Sequence, residues 1–488
     1  MNDTIPGLLL RAAERDPDGI WLRTDEGQLS FAGAAGEVAR VAERFAEAGV
    51  NPGDLVVLTA RGTPSYLLCW LALTSMGAVA VATNPANTEA ELAGLIGQVR
   101  PRLLVTDAEV DGLTDGWAQG RAATAVFDVR PDDLATLIPT SGTTGRSKLV
   151  MQTHRAYAWA GEGFPDWMEL NARDRLMTSL PLFHINATAY SVMGSLASGA
   201  GLVLLPRFSA SGFLDAARRH GATEFNAIGA MLEILMRQPP RPDDADTDLR
   251  LCYTGPSPER EWQEAFEKRF GLQIVCGYAM SESPYGLIWP RGTRPFGTLG
   301  KPRQHPRLGT VNEVRVVDAA GDDVEVDGTG ELLLRNPVVT PGYWEMPEQT
   351  AEAVVDGWLH SGDLVTPNAD GTFTFVARQK EVLRRRGENL SPAEVEEVIG
   401  AHPDVLESAV VGVPSELSEE EIKAYVVAVP GRELDFPALK AWTAERLSAF
   451  KVPRFWQALD ALPRTPTARV AKHRLPSEHS EQEWDSES

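Results

Sequence analysis

The stretch TSGTTGRSK, residues 140–148, sits where an apolar run ends, and its composition sets the first expectation about the fold. Gly142 and Gly145 let the backbone turn with exposed N–H groups, and Ser141, Thr143 and Thr144 can donate to phosphate oxygens. Lys148 adds a compact positive charge. A Walker A loop requires four residues between its glycine and Gly-Lys-Ser/Thr and opens a helix. Here Lys148, Leu149, Val150 and Met151 continue as an apolar run, so the stretch reads as strand, phosphate-holding loop, strand. A plain Gly/Thr surface turn is the competing reading of so short a string.

The chain has 488 residues, 43% of them hydrophobic and 23% charged, enough for two or more domains with an ample core. Its formal net charge of -22 argues against a nucleic-acid partner and against anionic membrane surfaces, because the basic footprint is missing. Cys69, Cys252 and Cys276 lie far apart without metal-ligand spacing. Cytosolic residence is the default expectation, with no secretory leader read at the amino terminus.

Helical and strand-like periods alternate, as in 34–48 (helix), 55–58 (strand) and 66–76 (helix), which favours α/β layers. Between 300 and 375 short strand-like runs such as 313–317 and 331–334 mark a β-rich subdomain. Beyond Arg378, a basic cluster precedes Ser391, Pro392 and Glu394, which read as a helix start with a capping box. The expected organisation is a large domain over 1–379, a small α+β domain over 380–477, and a frayed acidic tail over 478–488.

Further segments follow the opening loop in fixed order: PLFHINA (181–187), GYAMSES (277–283), GYW (342–344), GWLHSGDL (357–364), the block 378–396, and VVGVPSELSEEEIKAYVV (410–427). Together they span about two thirds of the chain and resemble the adenylate-forming superfamily, in its acyl-CoA synthetase branch. PLFHINA looks most like the motif of carnitine-type CoA ligases. The resemblance implies a large α/β domain hinged to a small mobile one. It also implies a two-step reaction in which a carboxylate attacks the α-phosphate of ATP, and coenzyme A then displaces AMP from the acyl adenylate.

Carried over residue by residue, the resemblance puts Thr140, Ser141, Gly142, Thr143, Thr144, Gly145 and Lys148 around the phosphates. Glu282 is implied to hold Mg2+, and Ser281 to reach the α-phosphate. Tyr278 would stack on adenine opposite Gly255, Pro256 and Ser257, while Asp363 and Arg378 grip the ribose. Phe183, His184, Asn186, Asn226, Gly229, Ala279 and Met280 would line the acyl pocket. His184 stands where adenylation domains for amino acids usually carry aspartate, so an acid without an α-amino group is expected. Lys380 matches the hinge, and Arg386, Gly387 and Glu388 match the loop that borders the CoA tunnel.

Two departures in the large domain are mild, Ser147 for a proline and Ala279 for a glycine. The third is at the carboxy end. The family's closing motif supplies a lysine after glycine that bridges carboxylate and α-phosphate during adenylation, and this chain reads Thr465, Pro466, Thr467, Ala468, Arg469. Guanidinium keeps the charge but is planar and forked, whereas ammonium is a compact point charge. Losing such a donor costs about 2.7–4 kcal/mol, roughly 10²–10³ in rate. Lys472 lies three residues on, an offset that in an extended segment faces the other way. The expectation is a ligase impaired in adenylation but competent in thioester formation, supplied by a companion adenylating ligase. A complete synthetase that tolerates Arg469, transfer to a carrier-protein thiol, and a nonenzymatic nucleotide sensor are the alternatives.

Overall fold

The computed structural model describes residues 3–120, 127–140, 148–255, 257–379, 383–385, 388–414, 420–447, 449–464, 470–480 and 482–487. It is a mixed α/β structure with a large amino-terminal domain and a small carboxy-terminal one. Two sheets form the layers of the large domain. A five-stranded sheet is mostly parallel and ends in the antiparallel pair Leu134–Thr140 and Lys148–Thr153. A nine-stranded sheet carries in its middle the parallel strands Arg175–Thr178, Glu224–Asn226, Leu251–Thr254 and Gln273–Met280. Their apolar faces are buried on both sides: Leu176, Phe225, Cys252 and Ile274 are at most 1% exposed. That pattern belongs to a sheet covered by helices.

The helix Pro64–Ser75 is buried all round, with Trp70 donating to Thr136 Oγ1 at 3.2 Å. Its Thr74 hydroxyl is satisfied within the helix, donating back to the Trp70 carbonyl at 3.0 Å. The expected strand at 55–58 forms as Leu55–Leu58, and the run at 313–317 forms as Glu313–Val317, in a separate five-stranded antiparallel sheet.

The small domain is built on the long hairpin Val405–Pro414 and Glu420–Ala428, covered by the helices Pro392–Gly400 and Phe436–Ala444. Two expectations differ here. Ser391 does cap the first helix by position, but no capping box forms, because Glu394 is taken by Lys451 Nζ at 2.6 and 2.7 Å. The acidic end is not frayed either. Trp484–Asp485 adds a strand to the domain's sheet, and Trp484 stacks on Phe436. Asp485 meets Arg454 at 2.9 Å, and Glu483 meets the fully buried Lys423 at 2.6 Å. Local composition read these carboxylates as solvated. Cations far upstream in the sequence hold them instead.

Candidate active site

Thr140 and Lys148 face each other across the hairpin, and Thr140 Oγ1 donates to the Lys148 carbonyl at 3.3 Å. The expected strand, loop, strand is therefore present at its two ends. The loop residues Ser141, Gly142, Thr143, Thr144 and Gly145 lie outside the described residues.

Strand Gln273–Met280 turns back into Ser283–Ile288 through a two-residue connection made of Ser281 and Glu282, since Met280 pairs with Ser283. A bulge between Tyr278 and Met280 re-aims the side chains just before that tip. The tip is clamped from two sides. Gln152 donates to the Ser281 carbonyl, and the Thr340 N–H donates to the Glu282 carbonyl at 2.7 Å.

Glu282 Oε1 accepts the Tyr343 hydroxyl at 2.9 Å. Burial pushes the Glu282 carboxyl up, against the opposing pull of the Tyr343 bond, Lys148 and Arg378. A hard cation would resolve that conflict, and Mg2+ commonly takes one or two carboxylates plus phosphate oxygens. Among the described residues no group of three His, Cys, Asp or Glu side chains gathers for a metal. A cation at Glu282 would therefore draw its remaining ligands from phosphate and water.

Tyr343 is the residue that sequence reading passed over. It lies on the segment after Gly342, whose φ of +136° and contact with Thr350 leave no room for a Cβ. Trp344 N–H donates to the Leu149 carbonyl at 2.9 Å, and Met151 N–H to the Gly342 carbonyl at 3.0 Å, which fixes the segment against the strand that begins at Lys148. The Lys148 ammonium sits 4.4 Å over the Tyr343 ring. The GYW motif was visible, but nothing in a linear string reveals that its tyrosine touches both positions 148 and 282.

Asp363 and Arg378 are directly opposed on antiparallel strands, with Arg378 Nε 3.2 Å from Asp363 Oδ1. Tyr278 joins them, its hydroxyl donating to Asp363 Oδ2 at 2.6 Å. Burial and the Asp363 charge push the Tyr278 phenol well above its usual value, so it stays a donor. Gly255 follows the neighbouring strand Leu251–Thr254, and a Cβ there would stand 2.2 Å from the Gly277 carbonyl oxygen. Ser257 Oγ accepts the Gly297 N–H at 3.2 Å, and Pro256 lies outside the described residues.

On the other side, the rings of Phe183 and His184 lie 4.6 Å apart, tilted at 54°, just before a π-helix, Asn186–Val192. Asn226 Nδ2 donates to Asn186 Oδ1 at 2.6 Å. Gly229 starts a helix next to the exposed Ile228, while Ala279 and Met280 lie on the bulged strand end.

Lys380, Arg386, Gly387 and Arg469 lie outside the described residues, as does the side chain of Glu388. Arg464 and Val470 pair across the ends of the closing motif. Lys472 Nζ is 2.8 Å from Glu396 Oε1, inside the small domain.

The chain matches the family of AMP-binding enzymes over residues 9–344 and the AMP-binding enzyme C-terminal domain over residues 394–469. It belongs to this adenylate-forming family, in its acyl-CoA synthetase branch. Crotonobetaine/carnitine–CoA ligase of Salmonella paratyphi B is 31% identical over 487 residues, covering 92% of this chain and 93% of that protein. ATP-bound MatB from Rhodopseudomonas palustris is 27% identical over 97% of this chain and 98% of its own, with a TM-score of 0.86. O-Succinylbenzoate CoA synthetase from Bacillus subtilis, with its acyl-adenylate intermediate, is 25% identical over 96% and 97%, with a TM-score of 0.85. The apo form of MatB gives 0.74 at the same identity and coverage as the ATP-bound form. Arg474 of the small domain meets Glu91 of the large one at 3.2 Å.

At the level of the family, this chain is an enzyme that joins an acyl group to CoA through an acyl adenylate. Among the described residues no helix is long and apolar enough to cross a membrane.

Proposed function

We propose that this chain converts an acyl adenylate and CoA into acyl-CoA and AMP, and that its own carboxylate-activating step is impaired by Arg469. The observation that carries this reading is the commitment of the nearby lysines. Both lysines that follow Lys440 are held by glutamates of one helix, Lys451 by Glu394 and Lys472 by Glu396. Neither is placed to take over a bridging role, which leaves it to the Arg469 guanidinium. A fork of five donors fits poorly between two anions that a point charge would bridge.

The thioester step asks for less. The CoA sulfur attacks the acyl carbonyl carbon, the C–S bond forms, the C–O bond to the phosphate breaks, and the thiol proton passes to solvent. AMP leaves from the pocket of Tyr278, Gly255, Ser257, Asp363 and Arg378. The phosphate-side residues Thr140, Ser281 and Lys148 hold the α-phosphate, Mg2+ at Glu282 supplies compensating charge when triphosphate is bound, and Lys380 serves as the hinge. His184 in place of an acidic residue fits an acid without an α-amino group. A companion adenylating ligase would supply the adenylate in the cytosol.

A complete ATP-dependent synthetase is the second reading, favoured by the higher TM-score to ATP-bound MatB, 0.86, than to its apo form, 0.74. Incubating the chain with presynthesised acyl adenylates and CoA, beside free acids with ATP and CoA, separates the two. The proposal expects thioester and AMP in the first series and little product in the second. Equal rates in both would favour the complete synthetase, and no product in either would remove the ligase reading.

A further inference from the structure

Asn226 closes the strand Glu224–Asn226, which lies between Arg175–Thr178 and Leu251–Thr254 and runs parallel to both. Ligands of open α/β sheets bind outside the carboxyl ends of such strands. From that same edge one neighbouring strand leads to Phe183 and His184, and the other to Gly255. Asn226 therefore stands at the acyl side of the site. The π-helix Asn186–Val192 packs across this strand, and its first residue accepts from Asn226 Nδ2 at 2.6 Å. π-helical turns recur at functional positions because they push a side chain out of α register.

Asn226 is 1% exposed, and its Oδ1 has no partner among the described residues. A buried amide oxygen left unpaired costs about 1–3 kcal/mol, and such groups call for an explanation. The chemistry offered by the pair does not depend on how either amide is oriented. With one N–H···O bond joining them, the two carboxamides always have one NH2 and one carbonyl left over, and flipping both only exchanges which residue bears which. A hydroxyl can donate to the carbonyl and accept from the NH2. A methylene can do neither.

The space behind the pair is already filled. Tyr253 stands in register with Asn226, and Tyr190 lies four residues beyond Asn186 on the π-helix. Both hydroxyls are gripped by Arg303, whose Nη1 reaches Tyr190 at 2.6 Å and whose Nη2 reaches Tyr253. Tyr190, Tyr253 and Arg303 are 2%, 3% and 0% exposed, so a chain arriving at the asparagines has nowhere further to go. Arg303 is itself spent on these rings and on the carbonyls of Pro284 and Leu287, so it offers no charge to a ligand.

We infer that the acyl group is short and carries a hydroxyl that bonds to the Asn186–Asn226 pair. This rests on the ligase reading of the site and narrows its substrate to a hydroxylated short-chain carboxylic acid. The test uses nonhydrolysable acyl sulfamoyl adenosines bearing butanoyl, 2-, 3- or 4-hydroxybutanoyl, or octanoyl groups, titrated calorimetrically into the full chain. One hydroxybutanoyl compound is expected to bind about tenfold or more tighter than butanoyl. Asn226→Leu should shrink that gain to within about twofold while AMP affinity stays unchanged, and octanoyl should bind no tighter than butanoyl. If Asn226→Leu does not fold, Asn186→Ala at the partly exposed partner gives the same comparison. Equal binding of the four butanoyl compounds, a hydroxyl gain that survives the substitution, or tighter binding of octanoyl overturns the inference. Failure of AMP and of every analogue to bind would instead remove the reading of the site on which it rests.

Discussion

The Tyr343 hydroxyl donates to Glu282 Oε1 at 2.9 Å while the same ring carries the Lys148 ammonium 4.4 Å above its centre. One side chain thus links the lysine at the end of the proposed phosphate loop with the carboxylate proposed to hold Mg2+. Tyr343→Phe keeps the ring and removes the donor, so Glu282 loses its orientation. The Mg2+ concentration for half-maximal ATP binding should rise about three- to tenfold, consistent with the loss of one hydrogen bond to a charged group, while Mg2+-free AMP binding stays constant. Titration of Mg2+ against fluorescent ATP binding checks this, and an unchanged midpoint would assign Tyr343 a packing role alone.

Asp363 is held by two donors, Tyr278 and Arg378, at 2.6 and 3.2 Å. Asp363→Asn removes the charge that both donors oppose and should weaken AMP binding by roughly 10–100-fold, the range for hydrogen bonds to charged groups. Tyr278→Phe retains the ring face and should cost less. An AMP titration in which Tyr278→Phe costs more than Asp363→Asn would contradict the ribose assignment.

Glu224 is fully buried, neither carboxylate oxygen has a hydrogen-bond partner among the described residues, and burial beside Asp174 pushes its carboxyl well above 4.5. Its folded value is raised, so the stability it contributes is present below about pH 4.5 and is lost as pH rises towards that folded value. Glu224→Gln does not titrate. The variant should melt higher than wild type at pH 8 and at the same temperature near pH 4.5. A variant that melts lower at pH 8 would contradict a protonated Glu224.

Lys423 is 0% exposed, and Glu483 meets it at 2.6 Å from the carboxy-terminal strap. Removing one member of a buried pair costs about 3–5 kcal/mol. Glu483→Ala should therefore speed hydrogen exchange in strand Glu420–Ala428 by roughly 10²–10³ and leave strand Leu55–Leu58 unchanged. Unchanged exchange in both strands would mean that water or the Glu478 carbonyl, 3.3 Å away, satisfies the lysine.

Much of the scaffold was legible because its signals are local. Glycines and threonines interrupt an apolar run at 140–148, and the strands Leu134–Thr140 and Lys148–Thr153 on either side pair antiparallel. Alternation at 313–317 gives a strand with matching bounds. What stayed hidden depends on distance in sequence. Glu394 looked like a capping partner for Ser391, yet Lys451 reaches it first; the acidic end looked solvated, yet Lys423 and Arg454 bind it. The proposed site residues that motif order brought together include Asp363 with Arg378, whereas the bonds of Tyr278 to Asp363 and of Tyr343 to Glu282 exist only once three segments have folded onto one another.

The most direct test of the account is ATP–pyrophosphate exchange by wild type and Arg469→Lys with a panel of short carboxylic acids, alongside CoA-ester formation from the preformed adenylates. The account predicts weak exchange by wild type, a rise of roughly 10²–10³ on restoring the lysine, and a thioester step that changes by less than about twofold. Brisk exchange by the wild-type chain, unimproved by the lysine, would contradict it.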